Sequence, residues 1–137
     1  MKNFTLILLT LFFVTAGAVA ADTAPDISRL NANRSQYDGK KLTLRGFLVI
    51  GPESMYLVRH LGYNKDYWVM DSGCLSLLDT GDLGKKESFY NEKYIALNGT
   101  FRADNRSYGI SFSECGLTGI DIGGNVSEHI KILDRNK

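Results

Sequence analysis

Two stretches of the chain alternate with a period of two residues. From Lys41 to Ile50, Leu42, Leu44, Leu48 and Ile50 fall on one face and Thr43, Arg45, Phe47 and Val49 on the other, the period-two signature of a strand. Lys93 to Phe101 repeats the pattern, with Ile95, Leu97 and Phe101 inward and Tyr94, Ala96, Asn98 and Thr100 outward. Gly51-Pro52 ends the first strand, so Ser54 to His60 is expected as its hairpin partner. Upstream, Ile27, Leu30 and Tyr37 recur near helical spacing. Asp26, after Pro25, stands where it caps the first turn, and the helix is expected to end near Asp38-Gly39.

The remaining segments are shorter. Leu61 to Gly73 mixes Gly62, Asn64, Lys65 and Asp66 with Tyr63, Tyr67 and Trp68, which leaves loop and irregular strand both open. Cys74 to Leu78 reads as a short apolar strand and Asp79 to Asp82 as a turn, with Asp82 capping a brief helix through Tyr90. Asp104 to Ser107 turns, and Tyr108 to Phe112 is expected to return as a strand. A glycine-rich excursion through Gly116, Gly119, Gly123 and Gly124 follows. Glu128 to Leu133 then supplies a final strand with Ile130 and Ile132 inward.

A weak repeat connects the two alternating stretches. Tyr37 to Gly46 aligns with Tyr90 to Gly99 at an offset of 53 residues, each copy a helix end, a turn and a strand interrupted by glycine. Two copies do not make a solenoid. They do imply two long strands in similar surroundings, and a glycine inside a strand marks a bulge or bend of the kind a small closed barrel requires.

The N-terminus has a different character. Lys2 precedes an uncharged apolar run from Phe4 to Ala20 that closes on Ala18, Val19 and Ala20, the order of a secretory signal peptide with an A-x-A site. The expected organisation is a signal peptide over residues 1–20 and one domain over 21–137, with no stable membrane anchor after cleavage. Cutting the 137 residues after Ala20 leaves 117 and removes Lys2, so basic and acidic residues balance at 15 each. A neutral domain has no long-range attraction for phosphate backbones, and nucleic acid is therefore not an expected partner. The 44% hydrophobic content suits a packed domain of this size.

Both cysteines, Cys74 and Cys115, lie in the portion expected to be exported, where a disulfide is the natural reading. A catalytic thiol wants a nearby base and a metal site wants three or four ligands. His60 and His129, the only histidines, serve neither well, and no metal or cofactor is expected.

The pattern Tyr37, Asp38, Gly39, Lys40, Leu42, Leu44 and Gly46, followed by a hairpin, a short strand, a helix and a second glycine-bent strand, resembles small exported bacterial proteins with an OB-like barrel. The resemblance covers most of residues 26 to 133. It implies a mainly β fold: a five- to six-stranded OB-like barrel with a short N-terminal helix and a short helix before the fourth strand. The N-terminal helix is an addition to that plan, as is the insertion Gly116 to Asn125 before the last strand. In the OB topology the third and fifth strands are neighbours, which makes a Cys74–Cys115 bridge reasonable. A periplasmic or secreted location in a Gram-negative bacterium is implied as well.

Catalytic signatures are missing from the sequence. It contains no HExxH, CxxC, phosphate-binding glycine loop or GxSxG elbow, and nothing brings Asp71 and Asp79 to a useful separation, so the protein is not expected to be an enzyme. OB-like barrels often bind through the outer face of strands two and three and the adjoining loops. Here that region carries Tyr56, Arg59, His60, Tyr63, Tyr67 and Trp68, bordered by Arg45 and Phe47. Rings interleaved with cations suit a sugar, a single-stranded nucleic acid or a partner protein. The expected function is a non-catalytic periplasmic binding module with an unassigned ligand. The alternative is an envelope interaction protein, such as an inhibitor or immunity protein for a secreted toxin or hydrolase. A single-strand nucleic-acid binder ranks behind both.

Overall fold

A computed structural model describes residues 24–52, 54–61, 73–109 and 115–134. The expected signal peptide lies outside these residues. Six strands form the sheet: β1 (Lys41–Ile50), β2 (Met55–Val58), β3 (Cys74–Leu78), β4 (Tyr94–Arg102), β5 (Gly119–Asp121) and β6 (Ile130–Ile132). Their order is β1-β2-β3-β5-β4, and β4 pairs back onto β1, which closes a five-stranded barrel; β6 is an extra strand on β4. Only β3 and β5 run parallel. This is the connectivity of a small OB-like barrel.

Alternation dictates the interior. Leu44, Leu48, Leu57, Leu75, Ile95, Leu97, Phe101 and Ile120 are fully buried in one cluster. Helix α1 (Ile27–Ala32) closes one part of it by burying Ile27 and Leu30, with Asp26 as its N-cap. Its Asn31 donates to the Cys74 carbonyl at 2.9 Å and accepts from the Thr118 hydroxyl at 2.6 Å, so α1 is tied to β3 and to the approach to β5. The single expected helix is broken. Asn33 leaves helical geometry at φ −121°, and a short second helix, α2 (Arg34–Tyr37), sets Tyr37 edge-on to Phe101.

Four further expectations are corrected. The segment before β4 is a 3-10 turn (Leu83–Lys86) and then α3 (Glu87–Tyr90), and Asp82 pairs with Lys86 at 3.1 Å without capping it. Tyr108 belongs to a 3-10 turn (Arg106–Tyr108), not to a strand; residues 110–114 lie outside the described set. The fifth barrel strand is instead Gly119–Asp121, inside the glycine-rich stretch. Three residues show no alternation to read, and glycine is required there because a Cβ on Gly119 would lie 2.8 Å from the Leu78 side chain and 3.0 Å from the Ser76 carbonyl oxygen. Finally, Val126–His129 forms a helical turn, α4, which shortens the last strand to Ile130–Ile132.

The 53-residue repeat is a structural two-fold. In the antiparallel β1–β4 register, Leu44 pairs with Leu97, its own counterpart in the repeat, so the two strands are related by a local dyad through that pair. The backbone obeys it in detail. Gly39 N–H donates to the Phe101 carbonyl and Phe101 N–H to Lys40; equivalently, Glu92 N–H donates to Leu48 and Leu48 N–H to Lys93. Asp38 Oδ1 accepts from Ala103 N–H at 2.9 Å, and its counterpart Asn91 Oδ1 accepts from Ile50 N–H at 2.8 Å. The dyad also carries the β1–β2 hairpin onto β4–β5, because Phe47 pairs with Val58 where Thr100 pairs with Asp121.

Gly39 and Glu92 are equivalent, and both have positive φ, 74° and 58°. A side chain costs energy in that region and glycine does not. Glu92→Gly is therefore expected to raise stability by about 0.5–1 kcal/mol and Gly39→Ala to lower it by about 1 kcal/mol. Denaturant midpoints of the two variants check both signs.

Candidate binding site

Outward residues in the second half of β1 and on β2 are not exposed. Phe47, Val49, Tyr56, Val58 and Cys74 are each 8% exposed or less and form a cluster separate from the barrel interior, with Tyr94 and Cys115 packed against it. The Phe47 and Tyr94 rings lie 5.2 Å apart, and the Cys74–Cys115 disulfide, spanning 41 residues, ties the approach to β5 onto this layer. The expectation that Phe47 and Tyr56 offer rings to a ligand is corrected accordingly: outward on the barrel is inward to a second apolar layer. Arg45 and His60 are exposed. Arg59, half-exposed, turns back to α1, 3.3 Å from Ser28 Oγ and 3.5 Å from Asp26. Tyr63, Tyr67 and Trp68, like the loop-or-strand question over most of 61–73, fall outside the described residues.

The dyad carries this closed face onto a polar one. Phe47 maps to Thr100, Tyr94 to Lys41, Val49 to Arg102 and Val58 to Asp121. Arg102 Nε donates to the Tyr108 hydroxyl at 3.1 Å, and that hydroxyl donates to Asp121 Oδ2 at 2.5 Å. Arg102 Nη2 lies 3.5 Å from the same oxygen, and Gly123 N–H donates to Asp121 Oδ1 at 3.0 Å. Burial pushes the Asp121 carboxyl up, but the hydrogen bonds from Tyr108, Gly123 and Arg102, with the Arg102 charge, outweigh it and hold the group below its ordinary range. The hydrogen bond to Asp121 in turn pushes the Tyr108 phenol up, so it stays protonated and remains the donor.

Two clefts of about 420 Å³ open on this polar side. One is lined by Lys41, Thr43, Asn98, Thr100, Asp121 and His129, with Leu42, Gly99 and Ile122 contributing the rest of its wall. The other lies beside Asp38, Arg102, Asp104 and Tyr108 and is strongly polar; there the exposed Arg106 guanidinium holds Asp104 down to about 2. In the first cleft Thr43 donates to Asn98 Oδ1 at 2.7 Å, which orients the Asn98 amide and leaves its two Nδ2 hydrogens for a ligand. Arg102 and Asp121 neutralise each other. Hydrogen bonding at this cleft therefore rests with Lys41, Thr43, Asn98, Thr100 and His129.

No protein-family model, curated protein or solved structure gives a significant match to the chain. The residues of the polar face escaped the sequence reading because Thr43, Asn98 and Thr100 look like any solvated strand face. The repeat was the one signal that bears on them, since it matches Thr100 to Phe47 and Thr43 to Ala96, although Asn98 is matched to the polar Arg45.

Asp121 also sets a pH dependence. Its carboxyl titrates lower when folded than when unfolded, so its contribution to stability is present above the ordinary carboxylate range and is lost as pH falls through the folded value. Asp121→Asn is expected to be less stable than wild type at neutral pH, with the gap closing at acid pH, below the ordinary carboxylate range. Denaturant unfolding at the two pH values measures it.

Proposed function

We propose that the protein is an exported, non-catalytic binding module on an OB-like barrel, with its ligand in the cleft between the start of β1, the end of β4 and α4. One observation carries this reading: the fold builds the same outer face twice, fills one copy with its own rings and leaves the other polar and clefted. A 420 Å³ cleft with a partly apolar lining and a few hydrogen-bonding groups suits a small molecule. The apolar N-terminal run with its A-x-A site and the disulfide support export. Among the described residues no helix is long and apolar enough to cross a membrane.

The test is a thermal-shift screen of chemically diverse small molecules on the mature protein, repeated on Thr100→Phe, which narrows the cleft. Stabilisation of wild type that the variant loses supports the reading. Hits that stabilise both equally would contradict it. So would recovery from an envelope extract of one stoichiometric partner protein that the variant still binds, which would favour the inhibitor alternative.

A further inference from the structure

The two copies of the outer face differ in what occupies them, and the difference defines a shape. In the closed copy, the cross-strand pair Phe47–Tyr94 covers the β1–β4 seam with two rings at 5.2 Å, against Val58 on the neighbouring strand. In the other copy the equivalent cross-strand pair is Thr100–Lys41, beside Asp121. Thr100 and Lys41 both line the cleft, so the volume that rings fill on one side is left vacant on the other. The next pair along the strands, Arg45–Ala96 in the closed copy, becomes Asn98–Thr43, both in the lining of the cleft, whose mutual hydrogen bond occupies Asn98 Oδ1 and not its amide hydrogens.

We propose that this cleft takes a small molecule built on one planar aromatic ring with a hydroxyl at its edge, the ring lying where the equivalents of Phe47 and Tyr94 are missing. The inference rests on the reading of the cleft as a ligand site. The ring meets the apolar part of the lining, to which Leu42, Gly99 and Ile122 contribute, and its hydroxyl accepts from Asn98 Nδ2. The hydroxyl's own hydrogen is taken by Thr43 Oγ1, whose hydrogen is already committed to Asn98. Asp121, in the same lining, is already satisfied by Arg102, Tyr108 and Gly123 and makes no demand on the ligand.

The experiment uses three probes of matched size: 4-hydroxyphenylacetamide, phenylacetamide and cyclohexylacetamide. Binding to ¹⁵N-labelled mature protein is followed by amide shifts. The hydroxylated ring is expected to bind tightest and to shift the amides of Thr43, Asn98 and Thr100. Removing its hydroxyl is expected to weaken binding about tenfold, and Asn98→Ala to cost the hydroxylated probe the same while leaving phenylacetamide unchanged. Lys41→Tyr with Thr100→Phe restores the ring pair of the closed copy. It is expected to abolish binding of all three probes without lowering the melting temperature, since the protein then fills its own cleft.

Equal affinity for aromatic and saturated rings would overturn the ring assignment. So would undiminished binding to the ring-filled variant. If none of the three probes binds while other compounds from a wider screen map to Thr43, Asn98 and Thr100, the ligand class proposed here is wrong and the binding cleft stands. If no compound maps there, both readings fall.

Discussion

Gly46→Val is expected to lower the stability of the protein by about 3 kcal/mol or more, a large part of what a domain of this size has. A Cβ at Gly46 would lie 2.7 Å from the Val58 carbonyl oxygen and 3.1 Å from the Leu57 side chain, so the added atoms meet backbone that is fixed by the β1–β2 pairing. The strand cannot bend away without opening the closed barrel. Gly99, the dyad equivalent, faces the same obstacle: its Cβ would lie 2.7 Å from the Asp121 carbonyl oxygen and 2.7 Å from Ile120. Gly99→Val is therefore expected to be comparably destabilising. Urea unfolding of both variants, read by far-ultraviolet circular dichroism, measures the effect. A loss below about 1 kcal/mol at either site would mean that the strands are not in the close approach described.

Replacing both Cys74 and Cys115 by alanine is expected to cost about 4 kcal/mol in the chain-entropy treatment of a closed loop this long. The bridge spans 41 residues and joins β3 to the approach to β5, across the one parallel strand pair of the barrel. Its loss also loosens the layer of Phe47, Val49, Tyr56 and Val58, whereas the barrel interior of Leu44, Leu97, Phe101 and Ile120 makes no use of it. The double variant should therefore keep its strand content, unfold at lower denaturant, and bind a hydrophobic dye that wild type does not. Thiol titration of the unreduced wild-type protein should find no free thiol. Two reactive thiols would contradict the bridge.

What was legible in the sequence follows the length of each signal. β1 and β4 are long enough to alternate, and of their inward sets Leu44, Leu48, Ile50, Ile95, Leu97 and Phe101 are buried and Leu42 half-buried; the alternation did not announce that Phe47 and Val49 on the other face are buried as well. β3 keeps the bounds Cys74–Leu78 because its short apolar run is buried throughout. β5 has three residues and exists through its partners, so no local pattern announces it, whereas β6, equally short, showed in the alternation of Ile130 and Ile132 and was only read too long. The site was less legible than the fold. Aromatic residues at outward strand positions read as a binding surface, and a second layer closing over Phe47 and Tyr56 is a tertiary fact that alternation does not encode. The polar face was hidden in plain composition, and only the match of Tyr37–Gly46 to Tyr90–Gly99 pointed toward it.

The two outer faces are equivalent in backbone, one closed by its own rings and the other polar and clefted. A fragment screen on the ¹⁵N-labelled mature protein, with hits located by amide shifts, separates them. Shifts are expected to gather on Lys41, Thr43, Asn98, Thr100 and Gly123. Shifts gathered instead on Arg45, Arg59 and His60 would contradict this and return the binding surface to the opposite side of the barrel.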